Sequence, residues 1–122
     1  MTCSSRRLAV ALAALAALEG CAIGTQLAAD PGDLADYRAY RVAADEGPRL
    51  ARAQRYLATH PRGAWAREVR AAFDDEEERY FESAKHSKQK AIDYLVDLPR
   101  GPHADAARAL VVAFDAHTDD VT

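Results

Sequence analysis

One stretch of this chain occurs twice. Tyr56-Leu57-x-x-x-Pro61-Arg62-Gly63-x-x-Ala66 returns as Tyr94-Leu95-x-x-x-Pro99-Arg100-Gly101-x-x-Ala104, and Arg70-Ala71 returns as Arg108-Ala109, each displaced by 38 residues. No other feature constrains the fold as much, because self-similarity at a period of roughly 20–50 residues marks supersecondary units stacked on one another. Each copy has the same physical reading. Tyr-Leu ends a helix on its buried side, Pro stops it, Gly turns the chain, and Ala admits the next helix at close range.

The segments between these breaks read as helices. Runs of alternating β-branched residues are lacking, and there is no Asn-Gly hairpin signal. A first helix carries Leu34, Tyr37, Arg41 and Ala44 on one face, with Tyr40 beside them, and Glu46-Gly47-Pro48 stops it. Pro48 suits the first turn of a second helix, whose inner face is Leu50, Ala53 and Leu57. A third begins near Ala64 and places Trp65, Val69, Ala72, Phe73 and Tyr80 at helical spacing. From Ala64 to Leu98 no Gly or Pro interrupts the chain, which is long for one globular helix. A break is therefore expected at Lys85-His86-Ser87, where Ser87 can cap a fourth helix bearing Ala91, Ile92 and Leu95. Pro99-Arg100-Gly101-Pro102 closes that helix, and a fifth presents Ala107, Leu110, Val111 and Phe114. The prediction is an all-α fold of about five helices, paired as antiparallel hairpins over residues 34–117, with residues 118–122 as a frayed tail.

At these residues the chain resembles the tetratricopeptide-like (TPR-like) helical repeats of bacterial envelope proteins. In those repeats an aromatic and an alanine precede a hairpin, followed by Ala-x-x-Tyr-Leu-x-x-x-Pro-x-Gly-x-x-Ala. Tyr40, Ala44, Ala53, Tyr56, Leu57, Pro61, Gly63 and Ala66 follow the pattern, and Ala91, Tyr94, Leu95, Pro99, Gly101 and Ala104 follow it again. The second hairpin is about two residues shorter and lacks the Gly-Pro pair. The resemblance covers residues 40–114 and implies a short helical-repeat array; such arrays need about three units to close a core, and this one, with about two, is expected to complete its surface against a partner.

The N-terminus has a different character. Arg6-Arg7 precedes an unbroken apolar run from Leu8 to Leu18, the order of an export signal. The run is shorter than the roughly 20 residues that a membrane span needs. Leu18-Glu19-Gly20-Cys21 then resembles the lipobox of bacterial lipoproteins, which implies a signal peptide over residues 1–20 and an acyl chain (palmitate among them) on Cys21. Glu19 stands where that pattern has a small uncharged residue, and a carboxylate is costly to desolvate at a bilayer surface. Two other readings stand beside lipidation: ordinary signal cleavage at Gly20-x-Ala22, and a buried Ala/Leu helix of the folded domain. Residues 21–33 contain Gly24, Pro31 and Gly32 and read as the lipidated N-terminus and a tether. By the same resemblance, Ala22 after the cysteine points to the outer membrane if the cell is Gram-negative.

Charge bears on partners. The chain carries −3, and without Arg6, Arg7 and Glu19 the remainder carries 14 basic and 18 acidic residues, a charge of −4. A mildly acidic body disfavours nucleic acid. Hydrophobic residues make up 49% of the chain, too many for a disordered one, yet much of this fraction is alanine, which buries little surface. The larger core candidates are Trp65, Phe73, Phe81, Phe114 and the five tyrosines.

Chemistry-bearing motifs are sparse. His60, His86, His103 and His117 form no His-x-x-x-His pair, and Asp115-x-His117 would need distant ligands to hold a metal. His60 and His103 flank prolines and are expected to face solvent. The run Asp74 to Glu78 reads as a solvated helix face, with Asp75–Arg79 and Glu82–His86 as spaced pairs. Neither a phosphate-cradling glycine loop nor a nucleophile elbow is present. No catalytic residue, metal or cofactor is expected. Trp65, Tyr40, Tyr80 and His103 are the candidate partner-binding residues, although aromatics at helical spacing also suit a core. Trp65 and His103 stand out because they are repeat counterparts of unlike chemistry.

The sequence thus predicts a lipid-anchored envelope protein, facing the periplasm or exterior, that acts as a non-catalytic interaction scaffold. Its partners would be the membrane, through Cys21, and an envelope protein or a second copy of itself. The alternative is a small exported accessory or inhibitor subunit of an envelope enzyme or transport machine.

Overall fold

A computed structural model describes residues 29–119. These residues form five helices and, among themselves, no strand: α1 (Pro31–Val42), α2 (Glu46–Thr59), α3 (Ala66–Ala84), α4 (Lys88–Asp97) and α5 (Ala104–Asp119). The fold is all-α, as the periodicity predicts. Cys21 and the apolar run from Leu8 to Leu18 lie outside the described residues, as do the last three positions of the tail. No helix among the described residues is long and apolar enough to cross a membrane.

Local chemistry sets the helix ends, with three differences from the sequence reading, one being that α5 continues through Thr118 and Asp119, read above as a frayed tail. α1 begins at Pro31, inside the stretch read as tether, because proline lacks an N–H that the first turn leaves unpaired in any case. It ends at Val42, and Ala43 is extended. Glu46-Gly47-Pro48 does not stop α1; it forms the first turn of α2. The break before α4 falls where predicted, and the Ser87 hydroxyl accepts the Lys90 N–H at 3.2 Å as its cap.

Both Pro-x-Gly turns are built bond for bond alike. His60 and Leu98 end their helices at φ −125°, ψ 61° and φ −127°, ψ 63°, with N–H groups donated to the Tyr56 and Tyr94 carbonyls. Gly63 then donates to the His60 carbonyl at 2.9 Å, and Gly101 to that of Leu98 at 3.0 Å. Ala66 and Ala104 close the turns on the Gly63 and Gly101 carbonyls, each at 3.1 Å. The recurrence in sequence is therefore a recurrence of backbone structure.

Each helix packs on the next through a short turn and so runs antiparallel to it, while α2 also touches α4. Leu50, Tyr56, Val69, Tyr94 and Leu98 are the largest fully buried side chains. Ala53, Ala66, Ala84, Ala91, Ala104 and Ala107 fill the seams between them. Alanine removes little apolar surface from water, but it lets helix axes approach closely enough for tyrosine rings to span the gap. Tyr40, Phe73 and Phe81 join this core, whereas Trp65 is half-buried at its edge and Phe114 lies outside it.

Candidate functional site

The two turns are joints, and each joint is organised around a buried acid. In the first hairpin Asp33, 5% exposed, projects inward from the first turn of α1. The Tyr56 hydroxyl donates to its Oδ1 at 2.5 Å, and the Ala64 N–H donates to Oδ2 at 2.7 Å. The same hydroxyl accepts the Trp65 N–H at 3.2 Å, one of the unpaired donors at the start of α3. The Trp65 indole lies flat on Tyr37, with ring centroids 4.5 Å apart and planes 8° apart.

The second hairpin repeats the arrangement with a changed cast. Glu77, 2% exposed, takes the place of Asp33 and accepts a hydrogen bond from the Tyr94 hydroxyl. That hydroxyl accepts the His103 N–H at 3.1 Å. The His103 ring lies flat on Phe81 at 4.3 Å and 5°, and its Nδ1 sits 2.9 and 3.0 Å from the Glu77 oxygens. In both hairpins the stacking partner, Tyr37 or Phe81, follows the acid by one helical turn.

Asp33 and Tyr56 are 23 residues apart, Glu77 and Tyr94 only 17, so the stretch from acid to tyrosine is six residues shorter in the second hairpin. The acid lies at the far end of this shorter stretch from its tyrosine, and the 38-residue period therefore misses it.

Burial pushes the Tyr56 phenol up to about 12, and its hydrogen bond to Asp33 adds to the shift. Tyr94 and Tyr80 are raised by burial first, and then by their bonds to Glu77 and Asp97. Among the described residues, no buried side-chain nitrogen or oxygen lacks a partner.

The turn glycines are present for space. Gly63 and Gly101 lie in the turns as expected, but among the described residues no glycine has positive φ, so left-handed backbone is not what they supply. A Cβ on Gly63 would lie 2.5 Å from the Tyr56 hydroxyl and 2.8 Å from Asp33 Oδ1, and one on Gly101 2.6 Å from the Tyr94 hydroxyl. Gly47 serves the contact between hairpins in the same way. Its Cβ would overlap the Asp97 carboxylate and lie 2.7 Å from the Tyr80 hydroxyl, which donates to Asp97 at 2.7 Å.

The residues singled out from sequence do not form one site. Trp65 and His103 occupy equivalent places in separate joints. Tyr40 is a core residue, 7% exposed, and Tyr80 ties α3 to the end of α4. Neither His60 nor His103 is simply solvent-facing: His60 Nε2 lies 2.8 Å from Asp36, and His103 rests on Glu77. The acidic run from Asp74 divides by direction. Asp75 forms the expected pair with Arg79 at 2.9 Å, Glu76 pairs with Arg49 of α2 at 2.9 Å, and Glu77 turns inward. Glu82 pairs with Lys85 rather than with His86. The described residues contain no cluster of three or more His, Cys, Asp or Glu able to hold a metal ion.

Sequence reasoning missed both buried acids. A signal for Glu77 existed, since Val69, Phe73, Glu77 and Phe81 follow at four-residue steps along one stripe of α3.

The domain is a short all-α array of two hairpins with a closing helix. No protein-family model matches the chain, and neither curated proteins nor solved structures yield a match.

Proposed function

We propose that the chain is a lipid-anchored envelope protein whose helical domain, TPR-like in pattern, is a non-catalytic scaffold for protein–protein contact. The observation that carries the scaffold half is the duplicated joint. Two hairpins locked by the same tyrosine–acid–glycine device make a rigid array, and such arrays work by presenting surface rather than by enclosing a reaction. The buried carboxylates Asp33 and Glu77 are engaged by tyrosine hydroxyls, a backbone N–H and a histidine. α5 packs chiefly on α4 and leaves Val112 68% exposed, a face suited to a partner or a second copy. Cys21, after the basic pair and the apolar run, supports the anchor half.

Intact mass of the membrane-extracted chain, beside a Cys21→Ser variant, tests the anchor. A product that begins at Cys21 with added acyl mass, lost in the variant, is the expected result. A soluble acyl-free product overturns it. A photo-crosslinker at position 112 tests the scaffold, which predicts a discrete adduct with an envelope protein or with itself. Uncrosslinked monomer throughout would count against it.

A further inference from the structure

A groove runs along the outer face of α2, and its walls are fixed. Its central hollow, about 500 Å³, lies between Ala39 of α1, Ala51, Arg52 and Arg55 of α2, and Asp97 at the end of α4. Through Ala51 and Arg55 it continues into a second hollow of about 440 Å³, bounded by Ala58 and Arg100. In the other direction it passes Pro48 and Asp97 into a third of about 440 Å³, rimmed by Asp45, Glu46 and Asp93. Three hydrogen bonds between elements hold the walls: His60 to Asp36 at 2.8 Å, Tyr80 to Asp97 at 2.7 Å, and the Gln54 amide to the Arg100 carbonyl at 3.2 Å.

The same bonds engage the groove's central acids. Asp36 and Asp97 are the acids of the central hollow, and both are already engaged, by His60 and by Tyr80. Arg52, Arg55 and Arg100 have no carboxylate within 4.0 Å among the described residues. Arg52 and Arg55 are three residues apart and so share a face of α2. Guanidinium forks of this kind recognise carboxylates in a bidentate way. The groove therefore presents unpaired guanidinium groups at its middle, beside the engaged Asp36 and Asp97, and at one end, and carboxylates at the other, over a floor of small residues that a backbone can approach.

We propose that this groove docks an extended segment of a partner protein with acidic residues in one half and basic residues in the other. The acidic half would lie along Arg52, Arg55 and Arg100, and the basic half beside Asp45, Glu46 and Asp93. A uniform polyanion fits less well, because the acidic end repels it and the chain as a whole carries −3. Preformed walls spare the ligand the ordering cost that a loose surface imposes. The inference rests on the scaffold reading and names its surface.

The test is binding of two synthetic peptides to the full 122-residue chain, read by fluorescence anisotropy at low salt. One peptide has glutamates in its first half and lysines in its second; the other interleaves the same residues. The segregated peptide should bind at least tenfold tighter. Arg52→Glu with Arg55→Glu should remove that preference, and the milder pair Arg52→Gln with Arg55→Gln should weaken it. Arg67→Glu with Arg70→Glu, on exposed positions of α3, should leave it intact. Equal binding of the two peptides, equal loss in the α3 variant, or tighter binding of heparin would overturn the proposal. Capture of an envelope partner that ignores the Arg52/Arg55 substitutions would sink the groove and leave the scaffold. Peptide binding that follows those arginines, without any captured partner, would sink the scaffold and leave the groove.

Discussion

Trp65 and His103 are structural counterparts that solve one problem with different chemistry. Each stands just before a helix, gives its N–H to a tyrosine hydroxyl, and lies flat on a ring one turn beyond a buried acid. In the first joint the second acid oxygen is satisfied by the Ala64 N–H. In the second, Glu77 is satisfied by the His103 ring. The exchange of Trp for His between copies thus accompanies a change in how the acid is partnered.

Neighbouring glutamates should respond very differently to mutation. Glu77→Ala strips the Tyr94 hydroxyl and the His103 ring of their acceptor in a dry site, at a cost of about 1–3 kcal/mol. Glu78→Ala, on the exposed side of the same turn, should stay within about 0.5 kcal/mol. Urea denaturation of the two variants checks this, and equal midpoints would contradict the inward role of Glu77.

Gly63→Ala should destabilise by about 1–3 kcal/mol, because its methyl group meets the Tyr56 hydroxyl and the Asp33 carboxylate. Tyr56→Phe should also destabilise by about 1–3 kcal/mol, since Asp33 loses its strongest donor. In the double variant the hydroxyl that obstructs the methyl is gone, so the two costs should add to less than their sum. A double-mutant cycle in urea measures the difference. Strict additivity would show that the glycine serves something other than the tyrosine.

Gly47→Ala should loosen one hairpin against the other. The added methyl overlaps Asp97 and crowds Tyr80, so the bond between those side chains must open. Hydrogen exchange should rise at the start of α2 and the end of α4, with the two Pro-x-Gly turns protected as before. Exchange that rises evenly through the domain would point to general destabilisation instead.

All five tyrosines are raised above the ordinary value of 10.0 in the folded chain, Tyr56 to about 12. The unfolded chain releases phenol protons near pH 10, whereas the folded chain retains them, so above pH 10 the unfolded state binds fewer protons. The tyrosines' contribution to stability is complete below pH 10 and declines as pH rises from 10 toward 12. Absorbance at 295 nm should therefore rise together with the loss of helical circular dichroism. A tyrosinate signal that develops fully near pH 10 while the helices persist would refute the buried, hydrogen-bonded phenols.

Repetition was the readable part of this molecule. Tyr56 and Tyr94, Pro61 and Pro99, and Gly63 and Gly101 carry their spacing openly because the chain between them is one local turn, made by backbone bonds within a few residues. The break at Ser87 was readable for the same reason, since a cap acts on its own helix. Asp33 and Glu77 were not. One lies in a stretch whose proline and glycine imitate a tether, the other inside a run of five acidic residues.

What the sequence determined by itself is therefore the set of helices, their breaks and their two-fold recurrence, because propensity, proline and capping act over one or two turns. The tertiary structure decided which carboxylates are buried, why the glycines are glycines, and which arginines stand without an ion-pair partner among the described residues. The buried carboxylates depend on partners far apart in the chain, 23 residues for Asp33 with Tyr56 and 17 for Glu77 with Tyr94. Distances of that kind exist only after the helices have packed, when one tyrosine hydroxyl can touch an acid, a backbone N–H and a glycine together.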